Sequence, residues 1–532
     1  MTNSLRPRKN QAGIKITIVV VLILAFTLYY LLMAKNSDLH YDGALYAQGY
    51  ISLLKYGTYV DSLYNQNPEK LPFTIYPQGR FSQYFLNLPI IQFLGVNNFS
   101  LQINNLLFLF LSALLVYCLV NRITGSYFLS LLSLVLFFTF PGVSPSSFLA
   151  SAGIGSLYPD TARVPSLALG GLGELPASFY LMLTVFVLLK SFEKERYFLL
   201  LGVVLFLAFE AKFYFILVFP VLLALLFILW KFEHAVRSKN ILTFVIGFLL
   251  PLIVLNLTFV WMYGWKAVFQ YHAEFWRLTW IHQYGFDKVG WFENIRRGIA
   301  YLSLGYGTLL GFYVPLLAGY GAAILAICAN IDFSQRRLRL DNHQITILHL
   351  FTLLVIYVIW WYHLSTVAQW YRKIFPVLIL NIPLYILSFQ YLRKRFSISL
   401  GQKVLVTILG IVVLVPMTTT QVHHFISTFE LKTEEDQALK DRKEMVQIIS
   451  NLPEGEKVFG VWWWQAPRLS LFSGRIFLDI EKHPEFKQGY LVFDHEALRI
   501  GHKKVKDTLS RYDVELVKRN EHYELYRWKT KH

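Results

Sequence analysis

Apolar segments long enough to cross a lipid bilayer recur along this chain between residues 14 and 421. An α-helix rises about 1.5 Å per residue, so about 20 apolar residues cross the ~30 Å hydrocarbon core. Only 16% of the 532 residues are charged, whereas about a quarter are charged in soluble domains. Because a chain in lipid must satisfy its own backbone hydrogen bonds, the sequence predicts an α-helical polytopic membrane protein.

The apolar segments predict about eleven transmembrane helices, of which the third and fifth are short. The fifth and sixth segments could instead form one broken helix, so the count is open by one or two. The predicted spans are 14–33, 101–121, 127–140, 166–190, 197–210, 213–231, 241–262, 301–328, 345–362, 374–391 and 403–421.

The loops between these spans indicate the topology. If the N-terminus is cytoplasmic, every loop on the cytoplasmic side is basic, which is the positive-inside pattern. The net charge of +17 therefore reflects topology rather than nucleic-acid binding, with contact to anionic membrane lipid as a secondary interpretation. The basic loop residues are Arg122; Lys190, Lys194 and Arg196; Lys231, Arg237 and Lys239; Arg336, Arg337 and Arg339; and Arg393, Lys394, Arg395 and Lys403.

These observations predict a multi-pass protein of the plasma (inner) membrane with a cytoplasmic N-terminus. The first segment has a basic lead-in and lacks a small-x-small cleavage site, so we expect a retained anchor helix. The two cysteines, Cys118 and Cys328, lie within apolar segments and indicate no disulfide framework.

Two domains are expected. Residues 1–421 form the transmembrane domain, including an outer loop, 34–100, with surface helices. Residues 422–532 are polar, with short alternating apolar runs, and predict a small extracytoplasmic α/β domain. Its predicted strands are 457–464, 475–480, 490–494, 514–518 and 523–528; its predicted helices are 432–451 and 503–512, and Asn520-Glu521 is a predicted hairpin turn.

The segment Ser37–Gly57 contains a candidate functional residue, Asp42, where the chain is predicted to leave the bilayer. An amphipathic run follows, which predicts a membrane-surface helix. A carboxylate at the membrane edge is costly unless it contacts something, so such a residue is a candidate for function. The structural alternative is that Asp42 only caps the helix, since Asp is a favourable N-cap.

Other ionisable residues on the outer side mix acids with bases. A carboxylate can accept the proton of a hydroxyl, and cations can hold a phosphate and stabilise its growing charge. This mixture suits transfer of a sugar from a lipid phosphate. The candidates are Asp38, Asp42, Asp160, Arg163, Glu174, Glu210, Lys212, Arg80, Arg372 and Lys373.

Each candidate also has a structural interpretation. Asp38 could be a solvated loop residue, Asp160 could pair with Arg163, and Glu174 could pair with a basic residue. Alternatives of the same kind are pairing of Glu210 with Lys212 or a helix break there, snorkelling of Arg80, and an ordinary loop end at Arg372-Lys373.

Several motifs resemble those of the GT-C membrane glycosyltransferases, most closely the family 39-like group with the protein O-mannosyltransferases and the lipid A aminoarabinose transferase. Asp42-Gly43-Ala44-Leu45-Tyr46-Ala47 resembles the first-loop motif, in which Asp-Glu usually replaces Asp42-Gly43. The segment 96–104 resembles the start of the second helix. Gly173-Glu174-Leu175-Pro176-Ala177 and Glu210-Ala211-Lys212 resemble later signatures.

The resemblance implies inverting transfer from a polyprenyl-phosphate sugar to a lipid, glycan or protein acceptor at the outer face. It implies that Asp42 is the catalytic base and that Asp160 matches a second acidic position. Arg80 lies near a position that meets the lipid phosphate, and Lys212 resembles a membrane-edge lysine. Glu174 is a substrate-binding candidate because it lies in the motif Gly173-Glu174-Leu175-Pro176-Ala177. Arg372 is a candidate because the predicted topology places it on the outer side.

Two other functions stay open. A transporter or flippase of lipid-linked sugars would need charges near the bilayer midplane and internal symmetry, and neither is clear in the sequence. A non-catalytic scaffold could use the outer domain to bind a partner. No metal ligand set is predicted, because His423-His424 lacks partners for zinc; basic side chains can supply the charge, with a divalent cation as the alternative. The absence of a nucleotide-type glycine loop fits a donor that is already lipid-linked.

Overall fold

A computed structural model describes most of the predicted helices. Five residues of the outer loop are described singly: Gly43, Ala44, Ala47, Ile51 and Ser82. The continuous described ranges are 9–36, 88–138, 173–232, 236–269, 272–273, 314–328, 331–332, 337–338, 341–363, 379–395, 437–460, 467–475, 477–481, 483–495 and 507–531.

Before residue 396, the described residues form mainly apolar helices. A 3₁₀ turn, Phe213–Leu217, connects the sixth and seventh helices, and a two-residue strand pair, β1 (Ile331–Asp332) with β2 (Arg337–Leu338), follows the ninth. The helices are α1 (Lys9–Asn36), α2 (Leu88–Leu94), α3 (Asn98–Thr124), α4 (Tyr127–Phe138), α5 (Glu174–Ser191), α6 (Tyr197–Ala211), α7 (Val218–Phe232), α8 (Ser238–Tyr263), α9 (Val314–Cys328), α10 (Asn342–His363) and α11 (Asn381–Arg395).

Local sequence explains where α3 begins and ends. The Asn97 side chain accepts a hydrogen bond from the Ser100 backbone N–H at 2.8 Å. The Ser100 hydroxyl in turn accepts one from the Asn97 backbone N–H at 3.2 Å. Together the two hydrogen bonds form a capping box. At the other end Gly125 adopts a φ of 66° and donates its N–H to the Asn121 carbonyl, which is a left-handed cap that glycine favours.

Helices α6 and α8 cross at two glycines. A Cβ placed on Gly202 would lie 2.2 Å from the Phe244 carbonyl oxygen, and one on Gly247 would lie 2.2 Å from the Leu199 carbonyl oxygen. The two backbones therefore touch, as is common where small residues line helix interfaces in lipid.

The outward side of α8 is apolar and exposed. Leu242, Ile246, Leu250, Ile253 and Leu257 each expose 45% or more of their surface, so this side matches a lipid-facing surface. By length and composition α3, α5 and α8 are long and apolar enough to cross a membrane. The count of about eleven spans stays a prediction, because 301–313 and 403–421 lie outside the described residues.

Ion pairs mark one end of the bundle. Arg122, at the end of α3, pairs with Glu193, in the loop between α5 and α6. Glu195 in the same loop binds Lys239, at the start of α8, at 2.6 Å. The hydrogen bond from Lys190 is the largest factor that lowers the pKa of Glu193. The end of α3, the loop between α5 and α6, and the start of α8 thus lie together, and the starts of α3 and α5 and the end of α6 lie at the opposite end.

Residues 437–531, called here the C-terminal unit, contain a five-stranded mixed sheet in the order β4-β3-β5-β7-β6. Strands β4, β3 and β5 are parallel, and β5, β7 and β6 are antiparallel. Its elements are α12 (Gln437–Ser450), β3 (Val458–Gly460), α13 (Pro467–Ser473), β4 (Phe477–Asp479), β5 (Gln488–Asp494), β6 (Tyr512–Arg519) and β7 (Tyr523–Thr530).

Alternation along the strands gives this sheet two apolar faces. Val458 packs with α12 residues such as Met445 on one face, while the next residue, Phe459, packs with Trp528 on the other. Successive side chains of a strand point to opposite faces, so the pattern of apolar residues decides which face each element covers.

Two local expectations for this unit need correction. The helix predicted over 503–512 ends earlier, because the chain turns at Arg511 and β6 begins at Tyr512, where it pairs with β7. Helix α13 was not predicted, because a seven-residue helix has too few turns to show a period. The hairpin turn at Asn520-Glu521 is present, and the Asn520 side chain accepts the Tyr523 N–H at 2.8 Å.

We predict that Gly202→Ala destabilises the protein by about 1–3 kcal/mol or more, because the added methyl group overpacks the crossing of α6 and α8. Thermal unfolding of the detergent-solubilised protein measures this. Gly321→Ala is the matched control, since a Cβ at that helical glycine meets nothing within 4 Å. Equal midpoints for the two variants would contradict the close approach.

Candidate functional site

A buried ion pair joins the start of α5 to the end of α6. The Lys212 ammonium lies 2.9 Å from a Glu174 carboxylate oxygen, and the two side chains are only 9% and 1% exposed. Lys212 has an extended backbone that ends α6 before the 3₁₀ turn. The chain therefore breaks its helix where the lysine reaches across to α5.

Two more side chains at this end hold a single residue of the outer loop. Glu210 accepts the Ser82 backbone N–H at 2.7 Å, and the Tyr180 hydroxyl donates to the Ser82 carbonyl oxygen at 2.8 Å. All three residues are buried. The residues are 128 and 98 positions apart in sequence, so the contact fixes a distant loop segment onto the ends of α5 and α6.

The same end of the bundle contains buried amides in the first turns of α3. Gln102, Asn104 and Asn105 are each at most 1% exposed. Beside them Leu101 packs with Ala44 and Ala47 of the outer loop, which are fully buried. Polar groups inside a membrane bundle are rare and usually face its interior. The Glu174 end therefore combines charges, amides and both anchored loop segments.

The structure describes three of the residues proposed from the sequence, Glu174, Glu210 and Lys212, and all three lie at this end of the bundle. The contact of Glu174 with Lys212 is the pairing with a basic residue that was one interpretation of Glu174, and the helix break at Lys212 is also present. The other candidates lie outside the described residues: Asp38, Asp42, Arg80, Asp160, Arg163, Arg372 and Lys373. The structure describes Gly43, which follows Asp42, and Ser82, which lies two residues after Arg80.

Tyr180 and Ser82 are not among the residues proposed from the sequence. A tyrosine inside an apolar helix carries a hydroxyl that needs a partner when buried, and that signal could have identified Tyr180. Ser82 takes part only through its backbone N–H and carbonyl groups. No side-chain pattern reports such a role.

Within the described part of the chain, one group of three side chains could hold a divalent cation: Asp441, Glu521 and His522, in the C-terminal unit. Asp441 already binds the hairpin, with 2.9 Å between its carboxylate and the His522 ring nitrogen Nδ1. Burial raises the pKa of Asp441, but hydrogen bonds from His522 and Gln437 outweigh it and hold that pKa below the usual value. The carboxylate is thus ionised at neutral pH and anchors the β6–β7 turn to α12.

Comparison with solved structures identifies the architecture. ArnT from Cupriavidus metallidurans, a GT-C lipid A aminoarabinose transferase crystallised with undecaprenyl phosphate, aligns with a TM-score of 0.56 and 12% identity over 96% of this chain and 98% of its own. The Archaeoglobus fulgidus oligosaccharyltransferase, crystallised with zinc and sulfate, aligns with a TM-score of 0.55 and 11% identity over 89% of this chain and 68% of its own. This chain has the GT-C fold.

The apo form of the same ArnT gives a TM-score of 0.56 at 11% identity. No protein-family model matches the sequence, and no curated protein sequence matches it significantly. The GT-C fold predicted from the motifs is therefore confirmed by structure, although this chain is only 11–12% identical to these proteins.

We predict that Tyr180→Phe loosens the loop held at this end of the GT-C fold. Loss of the hydroxyl leaves the buried Ser82 carbonyl without that donor, which costs about 1–3 kcal/mol. Hydrogen exchange at the Ser82 amide should accelerate because its local structure opens more often. Tyr127→Phe is the control, since its hydroxyl contacts the Lys15 carbonyl at the exposed start of α4. Unchanged exchange at Ser82 would show that Tyr180 does not hold the loop.

Proposed function

We propose that this protein is a membrane glycosyltransferase. It transfers a sugar from a polyprenyl-phosphate donor to a hydroxyl of a lipid, glycan or protein acceptor at the outer face of the plasma membrane. The observation that carries the proposal is the buried Glu174–Lys212 pair, which lies in a GT-C fold at the bundle end where the outer-loop segment containing Ser82 is anchored.

Asp42 is the proposed general base. It directly precedes Gly43 and the fully buried Ala44, which packs with Leu101 at the start of α3. The chain therefore tethers Asp42 to the Glu174 end of the bundle. A carboxylate near the reacting hydroxyl can accept its proton, which typically accelerates such reactions by about 10²–10⁴-fold. Asp160 is the second proposed acid.

Basic side chains are the proposed partners of the donor phosphate. Arg80 is two residues from Ser82, so its Cα lies within about 7 Å of the Ser82 Cα, and Ser82 is held by Glu210 and Tyr180. Lys212 supplies a point charge that Glu174 orients, and Arg372 completes the proposed group. Arginine suits phosphate because its planar guanidinium can donate two parallel hydrogen bonds.

The proposed reaction is a single displacement with inversion. The acceptor oxygen attacks the anomeric carbon, and a new glycosidic C–O bond forms as the bond from that carbon to the phosphate oxygen breaks. The acceptor proton passes to Asp42, and the bonding electrons leave with the polyprenyl phosphate. Cations that contact this phosphate stabilise the charge that grows on it.

The structural neighbours support a lipid-linked donor. ArnT was crystallised with undecaprenyl phosphate, and the Archaeoglobus fulgidus oligosaccharyltransferase was crystallised with a tethered acceptor peptide. Both align over most of this chain. Zinc in another crystal of the oligosaccharyltransferase keeps a divalent cation among the candidates for additional positive charge, and no step of the proposed reaction depends on it.

We predict that Asp42→Asn lowers sugar transfer at least 10²-fold, because the amide cannot accept the proton. The full-length protein in nanodiscs is given synthetic undecaprenyl-phosphate hexoses and pentoses with inner-membrane extract as the acceptor source. Labelled product is then quantified. Glu454→Gln is the control, since Glu454 is an exposed carboxylate of the C-terminal unit. Substantial transfer by Asp42→Asn would exclude Asp42 as the base, and lipid translocation without transfer would favour a flippase.

We predict that Lys212→Met weakens binding of undecaprenyl phosphate and also destabilises the protein. The stability loss arises because the buried Glu174 carboxylate loses its partner, which costs about 3–5 kcal/mol. The double variant Glu174→Gln with Lys212→Met separates the two effects. It should recover thermal stability but not lipid binding, measured by native mass spectrometry. Recovery of both would assign the pair a structural role only.

A further inference from the structure

We propose that helix α13 of the C-terminal unit positions the loop helix that contains Gly43, Ala44, Ala47 and Ile51, and with it the preceding residue Asp42, for the transfer reaction. Leu471 and Phe472 are the positioning residues. The inference rests on the proposed function, and it adds a role for a segment that contributes no polar group to the described site.

The two parts of the chain meet in one apolar cluster. Ala44 and Ala47 of the outer loop are 0% exposed, and Leu471 of α13 is 7% exposed. Ile91 of α2 and Leu101 of α3 complete the buried cluster, and Ile51, Leu88 and Phe472 lie against it. The C-terminal unit therefore supplies apolar surface that the outer-loop helix needs for burial.

The geometry of the loop helix links this contact to Asp42. Gly43, Ala44, Ala47 and Ile51 are helical, and residues three to four positions apart lie on the same side of a helix. Ala44, Ala47 and Ile51 therefore lie on one side of the helix, the side that takes part in the cluster with Leu471 and Leu101. Asp42 comes two residues before Ala44, so rotation or lifting of this helix moves the carboxylate with it.

Helix α13 can act as a support because it is attached to the sheet on its other side. Leu469 is fully buried in the core formed by α12 and the sheet. Residues two apart on a helix point in nearly opposite directions, so Leu471 faces away from that core. Arg468 forms an ion pair with Asp494 at the end of β5, at 3.2 Å.

Helix α12 strengthens the same support. The guanidinium of Arg442 lies 4.0 Å from the centre of the Phe472 ring, and Arg442 is only 3% exposed. Such a cation–π contact is favourable when desolvated. Asp441, the residue before it, holds the β6–β7 turn through His522. Contacts thus run from the sheet through α12 and α13 to the loop helix.

Reaction rates are sensitive to placement of the base. A displacement of about 1 Å can reduce a rate on the order of 10²-fold. A truncated Leu471 leaves a cavity beneath the loop helix, which can then shift or open more often. The expected consequence is a lower kcat with little change in donor binding, since the side chains proposed to bind the phosphate are unaltered.

The test compares Leu471→Ala with Leu516→Ala in the full-length protein in nanodiscs. Leu516 lies on β6 of the same unit and is 48% exposed, so it controls for loss of a leucine. Leu471→Ala should lower kcat at least tenfold and leave the Kd for undecaprenyl phosphate within about twofold of wild type. Leu471→Met should restore most of the rate, because its volume is similar. A kcat equal to that of Leu516→Ala would overturn the proposal.

Hydrogen exchange provides a readout that does not require activity. In Leu471→Ala, amides of residues 43–51 should exchange at least tenfold faster, while amides of β5 keep wild-type rates. Faster exchange throughout β5 would show general unfolding of the unit and overturn a positioning role, as would unchanged exchange at 43–51. Absence of transfer by the wild-type protein, together with the expected exchange, would reject the glycosyltransferase function and leave the mechanical coupling intact.

Discussion

The ion pair between Glu174 and Lys212 is the contact on which the arrangement of the membrane domain's outer-loop end depends. A buried charge is strongly unfavourable without compensation, and each of these two residues contributes to compensating the other. Together they fix the end of α6 against the start of α5. Glu210 and Tyr180, on the same two helices, then hold Ser82. The buried ion pair thereby holds together the two helices to which a distant loop segment is attached.

A second, apolar contact complements this polar one. Leu471 of the C-terminal unit shares one apolar cluster with Ala44 and Ala47 of the loop, while hydrogen bonds hold the loop at Ser82. The loop is therefore anchored near both of its proposed functional residues, Asp42 and Arg80. A reaction that needs a base and a cation at defined positions is faster when the loop is anchored. The side chains are then already positioned before the substrate binds, so less entropy is lost on reaching the transition state.

Much of the helical framework was predictable from the sequence. The starts and ends of α3 and α8 lie within three residues of the predicted limits, since apolar length and capping residues such as Asn97 are local signals. The motifs also indicated the GT-C fold. The contact of Tyr180 and Glu210 with Ser82 was not predictable, because both interactions use the Ser82 backbone and the partners are 98 and 128 positions away in sequence.

The sequence by itself determined that this chain has the apolar helices and motifs of the GT-C fold, since hydropathy acts through local composition. Only the tertiary structure decided that Lys212 pairs with Glu174 and that α13 reaches the loop helix. The crossing at Gly202 and Gly247 was likewise decided by packing. These choices depend on which surfaces meet in space, and that is set by the whole bundle rather than by any one segment.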